Sequence, residues 1–199
     1  MGNSRLSAYR FAVPVAAQLG QVSAQLEGLV SGRSNVRGEL AFEWMVVGEF
    51  SATREEAVRI ATWAQRMLAH LPPFMVKVFG ISAQPPARLF LRTMPSQGQQ
   101  LFHQLITQLN NYLQQYELPL VKMQQAFRIP ATADCLSLSC FEYLDHFRTV
   151  AIEKNVPMHY VQLQKQNKAG QWEPAQNMFL QQAEQVAMPA STSLQAVSV

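Results

Sequence analysis

Fifteen residues hold most of what could react in this chain. The stretch "ADCLSLSCFEYLDHF" (133–147) brings together Cys135, Cys140, Glu142, Asp145 and His146. Such types serve three chemistries: metal ligation by thiolate and imidazole, attack by an activated thiol, and proton transfer by a carboxylate-oriented histidine. Spacing argues against metal. With His159 added, the pattern is C-x4-C-x5-H-x12-H, unlike compact zinc spacings, and on a helix Cys140 and His146 stand about 120° apart. The thiol is the better candidate. Cys140 falls in the first turn of a predicted helix, where unpaired amides and the dipole favour thiolate, but no spacing selects a base among His70, His103, His146 and His159. Glu142 and His146, four apart, make an ordinary exposed helix pair.

The same stretch has a structural reading that uses every residue. Cys135, Ser137 and Ser139 alternate with Leu136, Leu138 and Cys140, as in a strand. Ser139 and Glu142 then have the spacing of a capping box, and Tyr143, Leu144, Phe147, Val150 and Ala151 form an apolar stripe. Neither a metal nor a cofactor is expected here, and Cys140 is kept only as a possible reactive thiol. No P-loop, G-x-G-x-x-G, G-x-S-x-G or H-E-x-x-H pattern occurs anywhere in the chain. No catalytic residue is assigned.

A second candidate lies on strands. In "ARLFLRTM" strand pleating turns Leu89 and Leu91 inward, leaving Arg88, Phe90 and Arg92 on the other face. Lys77 and Phe79, with Lys122 and Arg128, can join them from neighbouring strands. Five cations and two rings on one face suit single-stranded nucleic acid, the rings stacking on bases and the cations meeting phosphates. The glycine-aromatic signature of RNA-recognition domains is absent.

The elements that must position these residues follow from periodicity. Thr53 and Glu56 box the start of a helix whose face is Ala57, Ile60, Ala61, Ala64, Met67, Leu68 and Leu71. Ser96 starts another, with Leu101, Leu105, Ile106, Leu109, Tyr112, Leu113 and Tyr116 facing inward. "GELAFEWMVVGEF", "FMVKVFGISA", "ARLFLRTM" and "LPLVKMQQAFRIP" read as strands, the first with Leu40, Phe42, Trp44 and Val46 inward and Glu43 and Met45 outward. The order over 39–130 is β-α-β-β-α-β, which predicts an α+β fold with a ferredoxin-like split βαβ core. Residues 1–38 form an arm and an amphipathic helix, and 131–188 form a carboxy-terminal extension of the same domain. That extension is predicted as a strand (134–139), a helix (140–155), a strand (157–166), a turn at 167–170 and a helix near 175–187. Residues 189–199 read as a disordered tail.

Composition sets the functional expectation. Charged residues are 15% of the 199, well below about 25% in an average soluble domain, with 48% hydrophobic. The net charge of +3 comes from residues 1–38, which hold Arg5, Arg10, Arg33 and Arg37 against Glu27. No run approaches the about 20 apolar residues of a membrane span, no secretory signal is visible, and two cysteines make no disulfide framework, so a cytoplasmic setting is expected. Val15, Leu19, Val22, Leu26 and Leu29 stripe the leading helix and are taken as a partner-binding face. These features predict a non-enzymatic adaptor or structural subunit bound to other proteins, in a hetero-complex or homo-oligomer; the alternative is a single-stranded nucleic-acid-binding protein.

Overall fold

The computed structural model describes residues 5–30, 36–37, 40–84, 88–132, 134–135, 147 and 150–181. Its elements run β1 (Ser7–Pro14), α1 (Ala16–Val30), β2 (Val36–Arg37), β3 (Trp44–Ala52), α2 (Arg54–Leu68), β4 (Phe74–Gln84) and β5 (Arg88–Thr93). They continue α3 (Gln97–Gln115), β6 (Lys122–Pro130), β7 (Asp134–Cys135), β8 (Glu153–Met158), β9 (Tyr160–Gln166) and β10 (Trp172–Phe179). Eight of the strands form one sheet in the order β10-β9-β1-β3-β6-β5-β4-β8, and every ladder in it is antiparallel.

The helices form where their caps say. Thr53 and Glu56 close a capping box on α2, and Ser96 and Gln99 close one on α3. α2 buries Ala57, Ile60, Ala61, Ala64 and Leu68; α3 buries Phe102, Ile106, Leu109 and Leu113. The α3 stripe is rotated from the expected one. Leu101, Tyr112 and Tyr116 are exposed, and both tyrosines meet Trp63 of α2 edge-on, lining with Arg66 and Met67 an outer cavity of about 340 Å³.

Element order over 39–130 matches the sequence pattern, and the fold is mixed α+β, but the strand order is not that of a ferredoxin-like core. A split βαβ unit places its first strand beside its third, with parallel crossovers. Here β3 pairs with β6, β6 with β5 and β5 with β4, all antiparallel. The sheet also curls. β8 and β9 lie six strand intervals apart, about 29 Å in a flat sheet, yet only His159 separates them in the chain, and two residue steps reach about 7 Å.

The ends of the chain differ most from expectation. Ser7–Pro14 is no arm but a strand between β3 and β9. Glu153–Met158 is a strand where the predicted helix was carried to 155, and Trp172–Phe179 is a strand where a helix near 175 was expected. The turn explains the second. Gly170 takes φ of +81°, and Asn167 accepts from the Ala169 and Gln171 amides through Oδ1, folding β10 onto β9 as a hairpin. The predicted helix core at 140–146, with Cys140, and the tail at 189–199 lie outside the described residues.

Candidate phosphate-binding sheet face

Residues paired across antiparallel strands point to the same side of a sheet, so the register alone assembles the site. One row crosses seven strands: Gln162, Ala12, Val46, Arg128, Arg92, Phe79 and Glu153. A second row holds Gln164, Arg10, Glu49 and Lys122. Pro130, Phe90 and Ser82 form a third. The opposite face carries Tyr9, Phe11, Val13, Met45, Val47, Leu89, Leu91, Phe127, Ile129, Val76 and Val78, all in the core against α2 and α3.

Two bulges put these residues where they are. Gly80, at φ of +59°, interrupts the β4–β5 ladder between Phe79 and Ile81. Residues two apart would otherwise share a face; the extra glycine turns Phe79 to the open side and Ile81 to the core. In β3, Phe11 pairs with Gly48 and Ala12 with Val46, so Val47 is the inserted residue. Consequently Met45 and Val47 are core residues, while Val46 joins the arginine row and Trp44 is half-exposed. The expected alternation for this strand was one residue out. Leu40 and Phe42 are buried as expected, but ahead of the strand.

α3 fixes the two arginine-bearing strands at both of its ends. Gln99 Nε2 donates to Thr93 Oγ1 (3.1 Å), whose hydroxyl donates to the Phe127 carbonyl (2.8 Å). Asn110 exchanges two hydrogen bonds with the Val121 backbone, 2.8 and 2.9 Å. The Phe102 ring meets Phe127 edge-on at 5.4 Å.

The cations are braced by rings. The Arg92 guanidinium lies 4.6 Å from the Phe79 ring centre and the Arg128 guanidinium 5.1 Å from that of Phe90. Arg92 is exposed and Arg128 half-exposed. Lys77 is engaged by Glu153, and the Lys77 ammonium holds that carboxyl below the usual range. Lys122 is exposed at the entry of β6. Arg88 begins β5, where its partner is Gln84.

The other half of the face is closed and ordered. Arg10 Nε donates to Gln164 Oε1 at 2.7 Å, Gln164 donates to Gln162, and Gln162 to Asn177. The Arg10 guanidinium stacks on Trp172 at 4.3 Å. Burial pulls the Arg10 pKa down to about 10, against the opposing pull of Glu49 and Glu43, so it stays charged at neutral pH.

The residues taken as a partner-binding helix face are elsewhere and occupied. Val15, Leu19, Val22 and Leu26 are at most 2% exposed in the protein's own core, and Leu29 alone is exposed. A second protein has no access to that stripe. The described histidines also stand apart from the arginine row: His103 packs its ring on the core residue Phe127, and His70 and His159 are exposed at the end of α2 and between β8 and β9, while His146 lies outside the described residues. Among the described residues no group of three or more His, Cys, Asp or Glu could hold a metal. No described helix is long and apolar enough to cross a membrane.

The closed half, with Arg10, Gln164 and Trp172, carried no motif in the sequence. The signal that could have found it is "AYRFAVP", an arginine inside an otherwise apolar alternating run, which requires a buried partner.

Solved structures share this architecture. E. coli LigT complexed with 3'-AMP superposes with a TM-score of 0.58 at 14% identity, covering 89% of this chain and 100% of that one. E. coli LigT complexed with NADP+ gives 0.55 at 14% identity, covering 90% and 100%. A crystal structure described as a phosphoesterase gives 0.53 at 13%, covering 89% and 100%. No protein-family model and no curated protein matches the chain. The fold is therefore that of LigT-like phosphoesterases. That likeness overturns the expectation of a non-enzymatic adaptor or structural subunit, which rested on low charge, an amphipathic leading helix and the absence of familiar catalytic signatures.

Proposed function

We propose that the protein acts on phosphate esters of the nucleotide type, a mononucleotide or the end of a single RNA strand, held on the open half of the sheet. The observation that carries this is the Arg128–Arg92 pair, side by side on adjacent central strands of a LigT-like fold. Two guanidiniums on one row present fixed N–H forks to non-bridging phosphate oxygens and stabilise charge that builds there as an ester bond breaks. Phe79 and Phe90 restrict both groups, so little order is lost on binding. The LigT structures bind 3'-AMP and NADP+, and such ligands combine a phosphate with a ring able to stack beside Phe90 or Trp44. Lys77 extends the positive face toward a neighbouring phosphate, and Arg88 lies on the same strand as Arg92. Two cysteines outside any disulfide framework suit a cytoplasmic setting.

The test is calorimetric titration with 3'-AMP and with adenosine, alongside phosphate-release and ester-cleavage assays on the same probes. 3'-AMP binds at least tenfold tighter than adenosine, as roughly 1.4 kcal/mol from one charge-assisted contact requires, and Arg92→Ala with Arg128→Ala abolishes the difference. Equal binding of the two ligands, or a preference that survives the double variant, refutes the proposal.

A further inference from the structure

Beside the arginine row lies a second cavity, of about 430 Å³, bordered by Trp172, Leu120, Glu49 and Lys122, with Tyr9 and Phe50 behind. Its walls combine a fixed ring with a matched pair of charges. Trp172 is immobilised by Arg10, itself held by Gln164. Leu120, 47% exposed, offers an apolar surface for a flat ligand. Glu49 and Lys122 are direct partners across β3 and β6, yet among the described residues they form no ion pair with each other. A carboxylate and an ammonium set side by side but apart can each meet a ligand group.

We propose that this cavity is a guanine-selective subsite. The Watson–Crick edge of guanine presents an acceptor, a ring N–H and an amino group in sequence. Lys122 donates to the carbonyl O6, and the Glu49 carboxylate accepts from N1–H and the exocyclic amine. No other common base offers that order: adenine turns a ring acceptor toward the carboxylate, cytosine gives one donor, and uracil flanks its N–H with carbonyls. Register places the subsite near the phosphates. Lys122 pairs with Glu49, while Arg128 pairs with Val46, so three residues of β3, about 10 Å, separate the subsite from the arginine row. A guanine here can belong to the nucleotide whose phosphate meets Arg128, or to its neighbour in a strand.

The subsite deepens the nucleotide reading and rests on it for its role, but guanosine, which has no phosphate, probes it alone. Binding of guanosine and adenosine is measured by calorimetry or ligand-detected NMR for the unaltered protein and for Glu49→Gln, Lys122→Met and Arg92→Ala, with thermal melts confirming each variant is folded. Guanosine binds about tenfold tighter than adenosine, as one bidentate base contact provides. Glu49→Gln, near-identical in shape, brings the ratio below about twofold, and Arg92→Ala leaves it unchanged. Absence of a guanosine preference, or its survival in Glu49→Gln, overturns the subsite even if 3'-AMP still binds at Arg92. A guanosine preference that persists while 3'-AMP shows no phosphate contribution supports the subsite and removes the phosphate reading instead.

Discussion

Removing one carboxylate should strengthen nucleic-acid binding, and the structure says by how much. Glu153 engages Lys77 at the edge of the arginine-bearing face. While that pair holds, Lys77 meets a phosphate only by giving up its partner. Arg92 is exposed and in no ion pair among the described residues. Each phosphate neutralised on a single strand contributes about −0.7 to the slope of log K against log salt. Arg92 alone therefore gives a slope of about −0.7 or steeper, and Glu153→Gln, by releasing Lys77, steepens it by about 0.7. Arg92→Ala makes it shallower by the same step. The assay is fluorescence anisotropy of a short 3'-phosphorylated oligoribonucleotide, titrated from about 50 to about 200 mM salt. Because Glu153 is exposed, its loss leaves the fold intact, and a thermal melt checks this. Parallel salt plots for all three proteins would refute the reasoning, since they would place the binding surface away from Lys77 and Arg92 alike.

Three further outcomes follow from the packing. Gly80→Ala forces an L side chain into a positive-φ position and sets its Cβ 3.4 Å from the Arg92 guanidinium; it lowers stability by about 1–2 kcal/mol in urea denaturation and weakens 3'-AMP binding, and unchanged values of both would show that the bulge is not constrained. Gly98→Ala gains about 1 kcal/mol of helix propensity but drives its Cβ into the Phe74 ring, an overpacking that costs about 1–3 kcal/mol or more, so net destabilisation by chemical denaturation is expected and net stabilisation counts against the α3–β4 packing described. Burial holds the His103 pKa below its usual 6.5, and its Nε2 is buried without a hydrogen-bond partner, so the unfolded chain binds the extra proton first. Stability therefore falls as pH drops through 6.5 toward the folded-state value, and His103→Leu flattens that part of a melting-temperature profile; an unaltered profile would exclude the ring as its cause.

Local signals in the sequence carried α2, α3 and the outward side of β5, and long-range pairing carried what they missed. Thr53, Glu56, Ser96 and Gln99 cap their own helices, so reading four residues at a time located α2 and α3. Leu89 and Leu91 flank Phe90 in a strand polar on one side only, and the core takes both leucines while Phe90 and Arg92 stay outside. "FEWMVVGEF" has no such contrast: Trp44 and Val46 are as apolar as Met45 and Val47, and only pairing of Ala12 with Val46 decides between them. Strand order was beyond reach for the same reason. A β-α-β-β-α-β string is compatible with more than one sheet, and the choice made here depends on β1 and β9, which no pattern in residues 39–130 contains. The rows of the site are likewise products of register.

The place of β1 constrains how the protein can be made. Its hydrogen-bond donors and acceptors face β3 on one side and β9 on the other, and Arg10 finds Gln164 only across 154 residues. On the ribosome, β1 must wait until β9, with Gln164 lying 154 residues beyond Arg10, has emerged before its outer edge is covered. During that interval the nascent molecule carries an arginine without its amide partner on a strand with one open edge, a template for off-pathway pairing. Shortening the chain before the last hairpin would thus leave more than a missing end; it would reopen the sheet at its first strand and strand the charge that β9 was built to receive.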